Sequence, residues 1–308
     1  MTLPALLAAN NPVDKAIDYA WLTYDGWWVW SAHIGTLVLS GLILILALPY
    51  AASRINTGPE SLGTNRYLPR GSFAHLIEVI CVYLRDEVVR PQLHGRTDRF
   101  MPFLWTIFFF IFLNNILGLV PIAQAIWTID WLIQGKPGMY KAHELFVGGT
   151  ATGNLWVTGA LAVIAGIVFN VAAVRELGVK GFLQHLTGGA PMGINAIVFL
   201  IEGLGQFVIK PVALCVRLFA NMTAGSLIIG TLLLFSNMAF EALPAAFAAP
   251  ISLAGILAAI ALTFLKVFVG LLQAFVFMFL ITIFISLMSH HGEEHEHHGH
   301  HDHEHAHA

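Results

Sequence analysis

The sequence predicts an all-α membrane protein with about five membrane-embedded helices and one amphipathic helix on the membrane surface. Hydrophobic residues make up 57% of the 308 residues, charged residues make up 11%, and the mean hydropathy is +0.75. Soluble domains carry roughly 25% charged residues. Composition therefore places most of the chain in a bilayer. The net charge of −3 offers no basic surface for nucleic acid.

The first part of the chain contains three apolar stretches of ordinary spanning length. They cover residues 28–52, 102–123 and 154–174, and each approaches the ~20 residues that a membrane helix needs. Tryptophans cluster near their ends, as interfacial aromatic side chains do: Trp27, Trp28, Trp30, Trp105, Trp127, Trp131 and Trp156. We expect three membrane helices here. The preceding residues 1–27 lack the pattern of a cleavable signal peptide and are expected to lie outside.

Residues 53–101 form an arginine-rich loop that contains the predicted amphipathic helix. Apolar residues recur at helical spacing over residues 73–90: Phe73, Leu76, Ile77, Ile80, Leu84 and Val88. Polar and charged residues occupy much of the remaining surface: His75, Glu78, Arg85, Asp86, Glu87 and Arg90. This pattern is typical of a helix that lies on the membrane surface.

The last two apolar stretches, residues 192–236 and 251–289, are much longer than a membrane span. As continuous helices each would be roughly twice as long as the ~30 Å hydrocarbon core. Either each stretch contains a break, for which Pro211 is the candidate in the first, or each is one steeply inclined helix. The second stretch has no proline or charged turn inside it, which favours one long helix. We therefore predict an inclined helical hairpin over residues 192–289, with a turn at residues 237–250.

The distribution of cations orients the chain. The loop after the first span is rich in arginine: Arg54, Arg66, Arg70, Arg85, Arg90, Arg96 and Arg99. Arg175 and Lys180 follow the third span, whereas the N-terminus and residues 124–153 hold only Lys15, Lys136 and Lys141. The positive-inside rule then places the N-terminus outside and the arginine-rich loop in the cytoplasm. Residues 28–289 form one membrane domain in this interpretation, and the C-terminus is cytoplasmic.

The chain ends in a tail rich in histidine and acidic residues, residues 290–308. The tail holds no apolar residue larger than alanine, so it cannot bury a core, and we expect it to be disordered. Histidine-rich tracts can bind zinc, nickel or copper. A weak candidate metal site consists of His295, His297, His298, His300 and His301. The alternative is a solvated, pH-responsive tail that the membrane domain does not need.

Arg217 lies inside an otherwise apolar run, residues 211–225. A guanidinium keeps its proton in proteins, and placing it in hydrocarbon costs at least ~2.5–3.5 kcal/mol. At about 100° per residue, a set of polar residues shares one stripe of the helix, roughly 100° wide: Glu202, Gln206, Lys210, Arg217 and Asn221. Lys266 and Gln273 share a face of the last helix. The two sets predict a polar path through the membrane.

The residue types within this stripe differ in what they indicate. Gln206 and Gln273, taken singly, are also explained by hydrogen bonds between helices. Arg217 is a fixed positive charge, which lowers the pKa of a nearby carboxylate and repels a passing cation. Such a group suits a site that takes a proton from a carrier and prevents leakage. Glu202 is the only acid placed well inside these stretches, so a moving carboxylate would have to come from another subunit.

Four short segments carry a resemblance to a known family. Lys210-Pro211, Arg217-Leu-Phe-Ala-Asn221, Gln273-Ala-Phe and Asn115-Ile-Leu-Gly-Leu-Val-Pro121 resemble the signature of subunit a of the F-type ATP synthase, the stator half of its membrane motor. The order of the predicted elements is similar to that of the family as well. The resemblance covers nearly the whole chain.

The resemblance implies a mechanism and a set of partners. Protons would enter by one half-channel, bind a carboxylate on a rotating ring of c subunits, and leave by a second half-channel. Arg217 would sit between the half-channels, with Asn221 and Gln273 beside it. Peripheral-stalk b subunits and the bacterial inner membrane are the other implied partners. No cofactor is implied, and the sequence lacks a glycine-rich Lys-Ser/Thr phosphate loop, so we expect no nucleotide binding and no enzyme activity of the chain alone.

The sequence departs from the family pattern at one pair of positions. Many relatives carry Glu or His nine residues after the arginine, paired with His or Glu seven residues before the glutamine. Ser226 and Lys266 stand there in this chain. Lys266 is interpreted as a neutral relay amine or as a charge paired with Glu202. Gln206 and Lys210 of the polar stripe are also predicted to line the path. Further candidates for the path are Glu202, Asn115, His143 and Glu144.

Two other functions are compatible with an intramembrane arginine. A secondary transporter would use Arg217 to bind an anionic substrate, but such proteins usually show internal repeats and broken helices in both halves, and the two halves here look unlike each other. A structural membrane scaffold would leave Arg217 unexplained. The sequence is compatible with either H⁺ or Na⁺ as the transported ion.

Overall fold

The computed structural model describes residues 20–24, 27–54, 71–120, 147–187 and 195–301, and its described part is mainly helical. The chain packs as two compact units, each built from three segments. The first unit comprises Met1–Pro49, Phe108–Thr158 and Arg217–Ala274. The second unit comprises Tyr50–Ile107, Gly159–Val216 and Phe275–Ala308.

The first described elements are two antiparallel strands, β1 (Ala20–Tyr24) and β2 (Trp27–Ser31). Helix α1 (Ala32–Arg54) follows directly. The predicted start of the first membrane helix at residue 28 is therefore wrong, because residues 27–31 are extended. The reason is local: tryptophan and valine favour strands. Ser31 then starts the helix, since its Oγ accepts a hydrogen bond from Ile34 N at 3.2 Å.

The predicted surface helix is present but is not one regular helix. It consists of α2 (Ser72–Tyr83), a π-helical turn (Leu84–Val89) and the short α3 (Arg90–Leu93). A short 3₁₀ turn (His94–Arg96) leads into α4 (Thr97–Leu119). Two contacts join these helices: Arg85 Nη2 donates to Asp98 Oδ1 at 2.7 Å, and Trp105 Nε1 donates to the Cys81 carbonyl at 3.2 Å. The helical prediction for residues 73–90 is confirmed.

The sequence pattern predicts that the apolar residues of this segment share one face, but their burial differs along the segment. Leu84 and Val88 are buried, whereas Phe73 and Leu76 are exposed. Leu84 and Val88 lie within the π-helical turn, whereas Phe73 and Leu76 precede it on α2, and a π-bulge changes the angular register of a helix. The surface location of the helix stays a prediction.

The third predicted span is confirmed as the apolar first part of a longer helix. A 3₁₀ turn (Ala151–Gly153) precedes α5 (Leu155–Thr187), which is kinked at Gly178. Gly178 has φ 68° and ψ 168°, a conformation that is essentially open only to glycine. The apolar part, Leu155–Arg175, is one of five helical stretches in the described residues that are long and apolar enough to cross a membrane.

The C-terminal hairpin is confirmed as two long helices, with corrections at its break and its turn. The first arm consists of α6 (Asn195–Leu204), a π-helical turn (Gly205–Ile209) and α7 (Lys210–Ala242). The break at Pro211 is thus a widened turn just before the proline and not a chain reversal, because the missing N–H of proline disturbs the preceding turn.

The second arm of the hairpin is α8 (Ala245–His301). Only Leu243 and Pro244 separate the arms, so the predicted turn at residues 237–250 is too long. The alanine-rich sequence around the turn favours helix on both sides. The backbone stays helical to His301, which differs from the disorder predicted from residue 290; residues 302–308 lie outside the described residues.

Polar contacts pair the two arms within the first unit. Ser252 Oγ donates to the Ser236 carbonyl at 2.8 Å, and Ser236 Oγ donates to the Ser252 carbonyl at 3.5 Å. Gly255 permits this approach, because a Cβ there would lie 2.1 Å from Ser236 Oγ. The arms therefore run antiparallel and close together, which fixes which residues of the polar stripe can meet.

Candidate functional site

Arg217 lies on the outward face of α7. Its side chain is exposed, as are its neighbours Val212 and Val216, each 51% exposed. Leu214 and Leu218, on the adjoining face of the helix, are buried. Among the described residues Arg217 makes no hydrogen bond and no ion pair. The helix thus presents a lone permanent charge on an apolar outer surface.

Asn221 lies one helical turn beyond Arg217 and contacts the second arm of the hairpin. Asn221 Nδ2 donates to Gln273 Oε1 at 3.5 Å, which is at the long limit for a hydrogen bond. Gln273 is buried, and its Nε2 has no hydrogen-bond partner among the described residues. A buried donor without an acceptor costs about 1–3 kcal/mol. Gln273 therefore keeps an unused donor one helical turn from the arginine.

Lys266 and Ser226, the pair at which the sequence departs from the family pattern, contact each other. Lys266 Nζ donates to Ser226 Oγ at 2.6 Å, and the lysine is 9% exposed. Gly225 makes room for the lysine stem, because a Cβ at that position would lie 3.2 Å from Lys266 Cδ. The structure thus joins these two positions by a hydroxyl–amine hydrogen bond.

Asn115 on α4 lies beside this pair and is almost fully buried. Its Nδ2 donates to the Gly270 carbonyl of α8 at 3.0 Å, and its Oδ1 accepts from Thr152 Oγ1 at 2.8 Å. Thr223 of α7 adds a longer contact, from its Oγ1 to the Gly153 carbonyl at 3.4 Å. Asn115 therefore links α4, the 3₁₀ turn Ala151–Gly153 and α8 within the first unit.

Several residues of this polar cluster are not predicted from the sequence. Thr152, Thr223 and Gly270 carry no recognisable signal, because threonine is common in membrane helices and only its partner reveals its role. His33 of α1 is also buried. It lies against Gly149, where a Cβ would be 2.6 Å from His33 Nε2. Thr36, one turn further, donates to the Gly148 carbonyl at 3.2 Å, so α1 is held to the same loop.

The second unit contains a separate polar group. Gln206 is 0% exposed on the π-helical turn, and its Oε1 accepts a hydrogen bond from Lys210 Nζ. The Lys210 ammonium also lies 5.3 Å from the centre of the Phe284 ring, within the range of a cation–π contact. Glu202 is half-buried one turn before Gln206. The predicted stripe is thus divided between the units: Glu202, Gln206 and Lys210 belong to the second unit, and Arg217 and Asn221 belong to the first.

Some predicted residues lie outside the described parts of the structure. His143 and Glu144 fall in the gap between residues 120 and 147, and nothing is described of the side chains of His295, His297, His298, His300 and His301. Within the described residues no group of three or more His, Cys, Asp or Glu side chains could hold a metal ion. The metal interpretation of the tail stays a prediction.

The fold and the site define a class of protein: a multi-pass helical membrane protein with a long C-terminal hairpin, an exposed arginine within one of its apolar helical stretches, and a buried polar cluster on the same hairpin. A family model described as "ATP synthase A chain" matches residues 34–286. The chain belongs to this family.

Similar proteins carry the corresponding name. "ATP synthase subunit a 2" of Chlorobaculum tepidum is 34% identical over 262 residues, which is 85% of this chain and 64% of the relative. "ATP synthase subunit a" of Myxococcus xanthus is 34% identical over 271 residues, 85% of this chain and 74% of the relative. "ATP synthase subunit a" of Chloroherpeton thalassium is 38% identical over 238 residues, 75% of this chain and 60% of the relative. The chain therefore spans less than two thirds of some of its relatives.

Proposed function

We propose that this chain is the proton-translocating stator subunit of a rotary F-type ATP synthase in a bacterial inner membrane, with its N-terminus outside and its C-terminus in the cytoplasm. It acts with a ring of c subunits and with peripheral-stalk b subunits. It binds no nucleotide itself. Its task is to pass protons to and from a ring carboxylate through two half-channels.

The observation that carries this proposal is the position of Arg217. Its guanidinium lies on an exposed apolar face of α7 and has no partner among the described residues. In hydrocarbon such a charge is stable only beside an opposite charge or water. A carboxylate on a rotating neighbour supplies that charge as it passes, and the arginine favours its ionised form. Arg217 thus releases the proton from the ring and blocks a direct leak.

The buried polar cluster of the first unit suits one half-channel. Asn221 and Gln273 lie beside the arginine, and the Lys266–Ser226 pair follows one turn further along α7. Asn115 joins Gly270, one turn beyond Lys266 on α8, to the loop after residue 146. Ser226 and Lys266 here take the positions of a carboxylate and an imidazole. His143 and Glu144 belong to the segment that precedes this loop.

The polar group of the second unit is assigned to the other half-channel. Gln206 and Lys210 are hydrogen-bonded, and Glu202 lies one turn before them on the same arm. The Lys210 ammonium is stabilised by Gln206 and by the Phe284 ring. Each proton that crosses 100 mV supplies about 2.3 kcal/mol, which is useful only where Arg217 prevents short-circuit.

Substitution of Arg217 tests the function. In membrane vesicles that contain the assembled complex, we expect Arg217→Gln to reduce proton-driven ATP synthesis to background, because the charge that deprotonates the ring is lost. The amount of assembled complex should stay unchanged, and the passive proton leak should rise. Arg54→Gln is the matched control, since Arg54 is an exposed arginine at the end of α1, with its guanidinium 5.2 Å from the centre of the Tyr50 ring; it should retain synthesis.

The same experiment separates the alternatives. Loss of assembly with Arg217→Gln would favour a structural scaffold. Undiminished ATP synthesis would overturn the motor proposal, and loss of uptake of an anionic solute would instead assign the chain to the transporters.

A further inference from the structure

We propose that a groove in the second unit binds an anionic phospholipid, with the lipid phosphate on Arg175 and an acyl chain along the groove. The groove has a volume of about 330 Å³, at the lower end of the ~300–1,000 Å³ typical of ligand pockets. Its lining is Asn170, Val171, Val174, Arg175, Phe182 and Phe207. This proposal does not depend on the function proposed above.

The kink at Gly178 builds the groove. With φ 68° and ψ 168°, this glycine redirects α5, so that Phe182 becomes part of the same wall as Val174. Phe182 is buried against Ala173 and Leu186. Its ring meets the Phe207 ring of the π-helical turn edge-on, with 6.3 Å between centroids and an interplanar angle of 79°. Helix α5 and the π-helical turn therefore form the two walls of the groove, which is open on its outer side.

The position of Arg175 points to a lipid as the occupant. Arg175 is the last residue of the apolar stretch Leu155–Arg175, and Val171 lies one turn nearer the middle of that stretch. Long cationic side chains at the ends of membrane helices extend to the headgroup level. The Arg175 side chain is exposed and makes no ion pair among the described residues. Guanidinium and phosphate form strong, often bidentate hydrogen bonds. A cation at headgroup depth above an apolar groove matches the two parts of an anionic phospholipid.

The orientation predicted from the sequence agrees with this occupant. The positive-inside rule places Arg175 and Lys180 on the cytoplasmic side, where the leaflet is rich in anionic lipid. Lys180 is exposed but does not line the groove. It is therefore a matched control for a general attraction between cations and an anionic surface.

The test uses the full chain in detergent, with phosphatidylglycerol and phosphatidylcholine of the same acyl length as probes and native mass spectrometry as the readout. We expect the wild type to retain phosphatidylglycerol in preference to phosphatidylcholine. Arg175→Gln should lower the retained phosphatidylglycerol about tenfold, the effect of losing one charge-assisted contact. Lys180→Gln should leave it unchanged. Equal retention by wild type and Arg175→Gln would overturn the proposal.

A second measurement covers the case in which Arg175→Gln does not fold. A photoreactive residue at Val174, in native membranes, should form a lipid adduct. Val171→Trp, which fills the groove without changing charge, should reduce the yield of that adduct. A protein adduct at Val174 would overturn the proposal and assign the groove to a partner subunit.

Discussion

Lys266 is a buried amine that donates a hydrogen bond to the Ser226 hydroxyl. Burying an ammonium is costly unless its protons are hydrogen-bonded. Gly225 leaves room for the lysine stem. The contact therefore depends on three positions, Gly225, Ser226 and Lys266. The carboxylate–imidazole arrangement implied by the family resemblance is thus replaced by a chemically different pair at the same place.

Removing the hydroxyl tests the value of this pair. Ser226→Ala deletes one hydrogen-bond acceptor of the buried Lys266 amine, and losing a hydrogen bond to a charged group should destabilise the protein by about 1–3 kcal/mol. The measurement is the apparent melting temperature of the purified complex in detergent. Thr231→Ala is the control on the same helix, because Thr231 is exposed and donates only to the Ile228 carbonyl of its own turn. Identical melting temperatures for the two variants would show that the Lys266–Ser226 bond contributes nothing.

At the scale of elements, close contacts of the backbone decide how α4 meets the loop at residues 147–154. Gly118 lies against Thr150, and a Cβ at Gly118 would be 2.6 Å from Thr150 Cα. A backbone atom cannot rotate away as a flexible side chain can. Gly118 therefore sets the distance at which Asn115 and Thr152 form their hydrogen bond.

Adding one methyl group at this contact should separate the two elements. We expect Gly118→Ala to destabilise the protein by about 1–3 kcal/mol, the usual cost of overpacking, and to lower the apparent melting temperature. Gly41→Ala on α1 is the control, since a Cβ there meets nothing within 4 Å and alanine is favoured over glycine in helices. A tolerated Gly118→Ala with no loss of stability would contradict this account of the packing.

At the scale of the whole molecule, the surface at Arg217 combines two properties: exposed apolar side chains and an exposed permanent charge. Val216 is 51% exposed next to a charge that no described residue neutralises. A protein neighbour with an acidic group explains both properties, whereas lipid explains only the first. The proposed function places the ring at this surface.

Photo-crosslinking locates the neighbour. A photoreactive residue at Val216 in the assembled complex should capture a ring subunit, because the face around Arg217 is proposed to meet the ring. The control places the same probe at Leu46 of α1, which is 72% exposed. We expect this probe to capture lipid. Capture of lipid alone at Val216 would contradict the assignment of this surface.

The C-terminal tail is predicted to be dispensable for proton-driven ATP synthesis. Truncation after His291 removes residues 292–308, which hold acids and histidines but no apolar residue larger than alanine. We expect unchanged proton-driven ATP synthesis, because none of the residues assigned to the path lies there. Loss of synthesis on truncation would show that the tail takes part in the motor. The control is the full-length protein prepared at the same level of assembled complex.

The sequence predicted the helices more reliably than their boundaries. Long apolar runs have little choice in a bilayer but to form helices, so the five spanning stretches and the hairpin follow from length and composition. The strand at residues 27–31 was not predicted because aromatic residues suit both an interfacial helix end and a strand. The π-helical turns at residues 84–89 and 205–209 were not predicted because they change register without changing composition.

The sequence by itself determined that the protein is a multi-pass helical membrane protein, which family it belongs to, and that Arg217, Asn221 and Gln273 lie along the hairpin. These properties depend on local composition, helical spacing and short motifs. Only the tertiary structure decided that Lys266 contacts Ser226 and that Asn115 joins Thr152 to Gly270. It also decided that the Arg217 side chain is exposed and makes no hydrogen bond or ion pair with the described residues. The physical reason is that partners far apart in the chain are chosen by helix rotation and by close approach at glycines, and neither is encoded in the spacing of residues along one helix.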